Sequence, residues 1–379
     1  TEGLKFRGLA SVRTYAENEN KRSYNPFYYG TAELETEEGL LYYLYQISEG
    51  TEYLNSPEIN NYSNSNFYYE FTTEYNRIFE EKHEIGGLLV FNFSESLNTI
   101  SGDSDFASLP SRNMGLSGRF SYNFDSRYYA EFNFGYNGSE RFSKSERFGF
   151  FPSFGLGWYV SNEKFMEPIS NAITKLKFKG TYGLVGNDQI GSANDRFFYI
   201  SQVNLNNGGL GSNFGQEFGT NINGVSIDRY ANDQITWEKA RMLNVGLELG
   251  LFGVIDIQAD YFTEYRSNIL MDRAQIPASM GLQAPLRANV GEASSSGFEV
   301  TLDYKNSISD DFFLSARANF SFATSKFEVY EELDYVNAGL PWRSRIGLNL
   351  SQPFGYIAER LFIDEADIAN SPVQTFGDY

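Results

Sequence analysis

The amino-acid sequence predicts an all-β fold: an antiparallel transmembrane β-barrel with long extracellular loops at one end and short periplasmic turns at the other. Three observations carry this prediction. Apolar and polar residues alternate in runs of about ten residues, the length a tilted strand needs to cross a bilayer. Tight joints separate some of these runs, and long aperiodic segments separate others. Aromatic residues make up 17% of the 379-residue chain, led by 34 Phe and 27 Tyr, which suits the aromatic girdles that barrels place at both membrane interfaces.

The clearest pair of runs lies between Leu116 and Asn137. Leu116, Gly118, Phe120, Tyr122 and Phe124 alternate with Ser117, Arg119, Ser121, Asn123 and Asp125. Tyr128, Ala130, Phe132, Phe134 and Tyr136 then alternate with Tyr129, Glu131, Asn133, Gly135 and Asn137. A period of two marks a strand with two unlike faces. The joint Asp125–Arg127 leaves room only for a tight turn, so the two strands form a hairpin.

The other elements follow the same rule. Lys5–Thr14 alternates from the outset, so the chain is expected to be an excerpt that opens in mid-strand. Tyr24–Leu34 and Leu40–Ile47 are aromatic and strand-like, and Phe67–Tyr75 and Ile85–Phe93 form a hairpin across the charged turn Glu80–Glu84. Phe154–Val160 and Leu176–Leu184 follow the central hairpin. Leu243–Leu251 pairs with Ile255–Thr263, and Phe298–Tyr304 pairs with Phe312–Phe322. Arg345–Gln352 is the last strand candidate. Between these lie two segments read as irregular loops, Ile269–Ser296 and Val185–Lys239, the latter of roughly 55 residues. About 13 strands result, an odd and open set. An unpaired edge in lipid costs several kcal/mol per backbone group, so other segments are expected to complete the barrel.

Composition narrows the function. No apolar run reaches the 18 or so residues of a membrane helix, which leaves strands as the only route across a bilayer. A net charge of -19 argues against nucleic acid. With no cysteine there is neither a disulfide framework nor a thiolate metal site. His83 is the only histidine and has no Ser or Cys arrangement around it in sequence. Asn187–Asp195 lacks the spacing of a calcium loop, and Asn207–Gly219 lacks the Lys of a phosphate loop. Neither a cofactor, a metal nor an enzymatic activity is expected.

Five blocks go beyond periodicity. SERFGFFPSFGLGWYVSNEKFM (Ser145–Met166), LKFKGTYGLVGNDQIG (Leu176–Gly191), ITWEKARMLNVGLELGLF (Ile235–Phe252), NVGEASSSGFEVTL (Asn289–Leu302) and GYIAERLFIDEADI (Gly355–Ile368) occur in this order. Together they resemble the TonB-dependent SusC/RagA-type outer-membrane transporters of Bacteroidetes. The resemblance implies part of a 22-stranded barrel with a plugged lumen. The whole of residues 1–379 is then partial barrel, with the plug domain and closing strands outside this chain. It also implies a bacterial outer-membrane location and import of bulky nutrients, foremost oligosaccharides, with a SusD-like surface lipoprotein. TonB would act through an N-terminal region, and the cargo would be a glycan or a peptide. A siderophore receptor or a passive porin is the alternative within the membrane class. An extracellular glycan-binding or adhesive β protein is the alternative outside it.

The barrel assigns residues to its two faces. Arg119, Glu131, Lys177, Lys179 and Glu248, with Asp256, Asp260, Asp303 and Arg317, fall on the polar, lumen-facing side. There they contact water, plug or cargo, or simply solvate a wide lumen. Phe148, Phe150, Phe151, Trp158 and Tyr159 suit girdle or packing positions. Phe197, Phe198, Tyr199, Phe214 and Phe218 lie in the long loop and are the substrate-binding candidates, because loops carry recognition.

Overall fold

The computed structural model describes residues 2–36, 39–100, 109–191, 195–358 and 360–371. The early strands are β1 (Leu4–Lys21), β2 (Tyr28–Thr36), β3 (Gly39–Ser48), β4 (Glu58–Phe79) and β5 (His83–Ile100). The central ones are β6 (Ser111–Phe124), β7 (Tyr128–Ser139), β8 (Phe148–Tyr159) and β9 (Ile173–Asn187). There follow β10 (Gln202–Phe214), β11 (Thr220–Arg229), β12 (Glu238–Leu251), β13 (Ile255–Asp272), β14 (Arg287–Ser309) and β15 (Phe312–Val329). Eleven of them form one sheet in the order β1-β4-β5-β6-β7-β8-β9-β12-β13-β14-β15. β2–β3 and β10–β11 are separate hairpins that rise from the connections between β1 and β4 and between β9 and β12.

Every neighbour in the large sheet is antiparallel. Three joints at one end share a backbone. The pairs Glu80–Glu81, Asp125–Ser126 and Phe252–Gly253 all have positive φ. Each pair is closed by a hydrogen bond: Lys82 to the Phe79 carbonyl, Arg127 to Phe124 and Val254 to Leu251, at 3.0–3.1 Å. Two left-handed residues in succession match the twist of the flanking strands, as in type I′ turns. The opposite end carries the long connections, so the predicted asymmetry holds along the sheet.

Directly opposed residues share a face, so the register sorts the side chains. Phe120, Phe132, Phe154, Tyr182 and Leu243 form one row, each opposite the next. Ser121, Glu131, Gly155, Thr181 and Asn244 form a row on the other face. The apolar row stands open: Phe154 is 57% exposed. This is the inverse of a water-soluble protein, whose sheets turn the apolar face inward. It is the expected state of a wall whose outer solvent is hydrocarbon.

Three sequence expectations need correction. The segment Val185–Lys239 holds the hairpin β10–β11, which is missed because polar Asn and Gly residues dominate both of its faces. Ile269–Ser296 is half strand, since β13 runs to Asp272 and β14 starts at Arg287. Where a strand leaves the bilayer both faces meet water, so alternation fades although pairing continues. Arg345–Gln352 forms no strand, only a single parallel bridge from Ile346 to Phe327. Gly347 turns to φ 78° there and breaks the run. The sheet strands also exceed ten residues, reaching 23 in β14.

Candidate functional site: the inner wall and its mouth

The register places all nine predicted lumen-facing residues on one face. Arg119 opposes Asn133, and Ser121 opposes Glu131. Glu131 opposes Gly155, and Gly155 opposes Thr181, the inward neighbour of Lys179 and Lys177 on β9. Lys177 opposes Glu248, and Lys179 opposes Gly246. Gly246 in turn opposes Asp260, and Gly250 opposes Asp256. Asp256 opposes Asp303, which opposes Arg317.

The structure joins most of these into ion pairs. Lys179 Nζ lies 3.0 Å from Asp260 and 3.6 Å from Glu248, while Lys175 reaches Glu248 at 2.6 Å. Lys177 lies 3.9 Å from Glu248 and stands over the Tyr129 ring at 5.8 Å. Arg317 grips Asp303 with two hydrogen bonds of 2.7 and 3.1 Å. Gly246 makes the Lys179–Asp260 pair possible, because a Cβ there would overlap both side chains. Glu131 accepts a 2.7 Å hydrogen bond from Asn133. Solvent screens pairs of this kind, so each adds little to stability.

At the long-loop end the chain builds its buried core. Phe142, Phe151, Ile190, Phe198, Ile235 and Trp237 pack together, with Leu270 against them. Trp237 lies 5.3 Å from both Phe142 and Phe151, ring to ring. Phe151 stands on the inward face opposite Gly135. A Cβ at Gly186 would overlap the Phe151 ring, so glycine makes room for that ring. The connections β7–β8, β9–β10 and β11–β12 thus fold inward over the mouth. Around the core, Asp195 pairs with Arg287 at 2.7 Å and with Arg229 at 3.8 Å, and Arg287 pairs with Asp272 at 3.2 Å. Burial pushes the Arg229 and Arg196 guanidinium groups down from their usual value. Phe198, Tyr230, Ile235 and three arginines (Arg229, Arg273, Arg287) enclose a cavity of about 220 Å³.

The five loop aromatics separate here. Phe198 is 1% exposed and belongs to the core, and Phe197 is buried beside it under the Arg196 guanidinium at 4.7 Å. Both are corrected from cargo-facing to packing positions, because inward folding of the loop buries them. Tyr199 is half-buried against Phe197. Phe214 and Phe218 stand exposed, at 51% and 70%, at the tip of the β10–β11 hairpin. Trp237, the centre of the core, carries little signal in the sequence. Its signal was only an apolar pair, Ile235 and Trp237, in an otherwise polar stretch.

The short-turn end carries an outward aromatic belt. His83 opens β5 rather than lying in the turn. Its Nδ1 sits 2.8 Å from the Tyr122 hydroxyl and its ring packs on Phe124 at 4.9 Å. Phe124, Tyr128, Trp158 and Phe178 continue the row at ring spacings of 6.3–6.5 Å. Glu163, on the β8–β9 connection, accepts hydrogen bonds from Tyr128 (2.6 Å), Trp158 (3.1 Å) and Arg127 (3.1 Å). The Tyr128 hydroxyl and then the Trp158 indole, with Arg127 alongside, hold its carboxyl below the usual carboxylate range.

A sheet with one apolar and one ionic face, a belt at one end and a capped mouth at the other defines the wall of an outer-membrane β-barrel. The chain belongs to the family described as TonB dependent receptor-like, beta-barrel, which matches residues 3–370, and whose members reside in the outer membrane. It is 32% identical to the TonB-dependent receptor SusC of Bacteroides thetaiotaomicron over 198 residues, covering 52% of this chain and 19% of that protein. A TonB-dependent receptor of Formosa agariphila is 26% identical over 332 residues, 80% of this chain and 30% of that one. The solved RagAB peptide transporter superposes with a TM-score of 0.63 at 20% identity, over 88% of this chain and 36% of that one. The chain spans about a fifth to a third of the length of the curated relatives it matches.

Proposed function

We propose that this chain forms part of the barrel wall of a TonB-dependent importer of bulky nutrients, with oligosaccharides as the first substrate class. The observation that carries the reading is the pairing of an ionic, hydrogen-bonding inner wall with exposed aromatics at the mouth. Phe214 and Phe218 offer ring faces to sugar rings arriving from outside. Below them the wall offers carboxylates, lysines and amides in fixed positions. β1 and β15 are the free edges of the sheet, and in lipid each pairs with a further strand. A plug outside residues 1–379 gates the lumen under the control of TonB. A SusD-like surface lipoprotein covers the long-loop side and hands over cargo. Peptides are the second substrate class, supported by the fold shared with the RagAB peptide transporter.

Deletion of the gene in its own host, followed by growth on single carbon sources, tests this. Loss of growth on one oligosaccharide with normal growth on its monosaccharide is the expected result. Normal growth on every oligosaccharide, with a defect confined to peptides, overturns the glycan assignment. Co-purification of the barrel with a surface lipoprotein in mild detergent tests the partner, and isolation of the barrel alone from native membranes contradicts it.

A further inference from the structure

We propose that a notch on the outer face, centred on Ala130 and Gly180, holds one acyl chain of a membrane phospholipid. The notch arises from one cross-strand row. Tyr122 opposes Ala130, Ala130 opposes Leu156, Leu156 opposes Gly180 and Gly180 opposes Val245. Large and small side chains therefore alternate along it. The neighbouring row toward the short turns, Tyr128–Trp158–Phe178, and the row toward the mouth, Phe132–Phe154–Tyr182, are all large. The small positions leave a groove of about 550 Å³ walled by Tyr122, Tyr128, Leu156, Trp158 and Phe178, within the size range of ligand sites.

Gly180 supplies a second, independent observation. Glycine inside a strand costs about 0.5–1 kcal/mol relative to alanine and often marks a close approach by another group. At Gly183 and Gly186 that group belongs to the protein, since a Cβ would collide with Ser153 or Phe151. At Gly180 a Cβ would meet only the Asn244 carbonyl oxygen at an ordinary 3.9 Å. Gly180 is also absent from the positive-φ residues. Neither packing nor backbone geometry requires glycine there. What its missing side chain leaves open faces the bilayer.

The chemistry of the walls selects the occupant. Glu163 engages the Tyr128 hydroxyl and the Trp158 indole N–H, so these residues turn ring faces, not donors, toward the groove. Lys179 is the one charged residue in its lining, and its ammonium is paired with Asp260 and Glu248 on the inner face. A hydrocarbon chain fits such walls, and the groove is continuous with the lipid-facing band. It lies one row deeper than the short-turn belt, on the hydrocarbon side of the level where the phospholipid headgroups meet the wall.

The test places the full polypeptide in nanodiscs doped with a phospholipid carrying a diazirine on its acyl chain, then maps the photoadducts by mass spectrometry. Labelling of Tyr128 and Trp158 several-fold above the notch-free patch Leu247–Leu249–Ile257 at similar depth is expected. The variant Ala130→Leu/Gly180→Leu, folded by heat-modifiable gel mobility, brings that labelling down to the level of the patch. Where the double variant does not fold, Gly180→Val is read in its place and lowers the labelling part-way. Equal labelling of groove and patch in the unaltered protein overturns the proposal. So does groove labelling unchanged in the filled variants.

Discussion

The apolar residues of this chain are used in two opposite ways. Along the sheet, Phe120, Phe154, Leu156 and Val245 stand outward and open, and no described residue covers them. At the mouth, Phe142, Phe198, Ile235 and Trp237 are buried against each other on the inward side. The same side-chain chemistry is stable in both places because the solvent differs. Hydrocarbon replaces the protein core along the wall, whereas water at the mouth forces the loops to make a core of their own. The sheet is therefore held by backbone ladders and lipid, and the mouth by hydrophobic packing.

That difference can be broken at chosen points. Trp237→Ala removes the centre of the mouth core, with a cost of about 3–5 kcal/mol to the packing of the loops. Hydrogen exchange should rise in residues 188–237 while β6, β7 and β12 stay protected; equal loosening of both regions would contradict their independence. Phe154→Arg places a charge in the middle of the outer band and should cost about 2–4 kcal/mol in bilayer folding equilibria. Asn244→Arg, on the inner face at similar depth, should change stability by well under that amount.

Smaller effects sharpen the picture at the two ends of the wall. The carboxyl of Glu163 is held below its usual range in the folded state. Its stabilising contribution is thus complete above the ordinary carboxylate value of about 4.3 and fades as pH falls through the lower folded value. Thermal denaturation in detergent should show an acid-side loss that Glu163→Gln removes, and an unchanged acid limb in that variant would contradict the assignment. On the inner wall, a double-mutant cycle of Lys179→Met and Asp260→Asn should return a coupling of about 0.2–1 kcal/mol. A coupling of several kcal/mol would mean that this stretch of lumen is dry.

What was legible in the sequence follows the bilayer. β6, β7, β9, β12 and β13 could be read because lipid on one side and water on the other impose a strict period of two. The same alternation placed Lys177, Glu248, Asp260 and Arg317 on one face without any structure. Beyond the bilayer that constraint disappears. Gln202–Phe214 pairs as a strand although Asn and Gly crowd both of its sides. Ile346, Leu348 and Leu350 alternate in the sequence, yet Gly347 turns the chain and no strand forms. Phe197 and Phe198 look no different from Phe214 and Phe218 in sequence. Only long-range packing against Phe142, Ile235 and Trp237 decides which pair is buried.

The central claim is that the two faces of one sheet meet two solvents, and β9 tests it most directly. The native chain has no cysteine, so single cysteines can be placed in turn from Leu176 to Gly183 and spin-labelled in bilayers. Collision rates with dissolved oxygen should peak at Leu176, Phe178, Gly180 and Tyr182, and those with a water-soluble nickel chelate at Lys177, Lys179, Thr181 and Gly183. Two profiles of period two, in opposite phase, are the predicted result. A chelate that reaches Phe178 and Tyr182 as readily as Lys177 and Lys179 would show water on both faces and contradict the account.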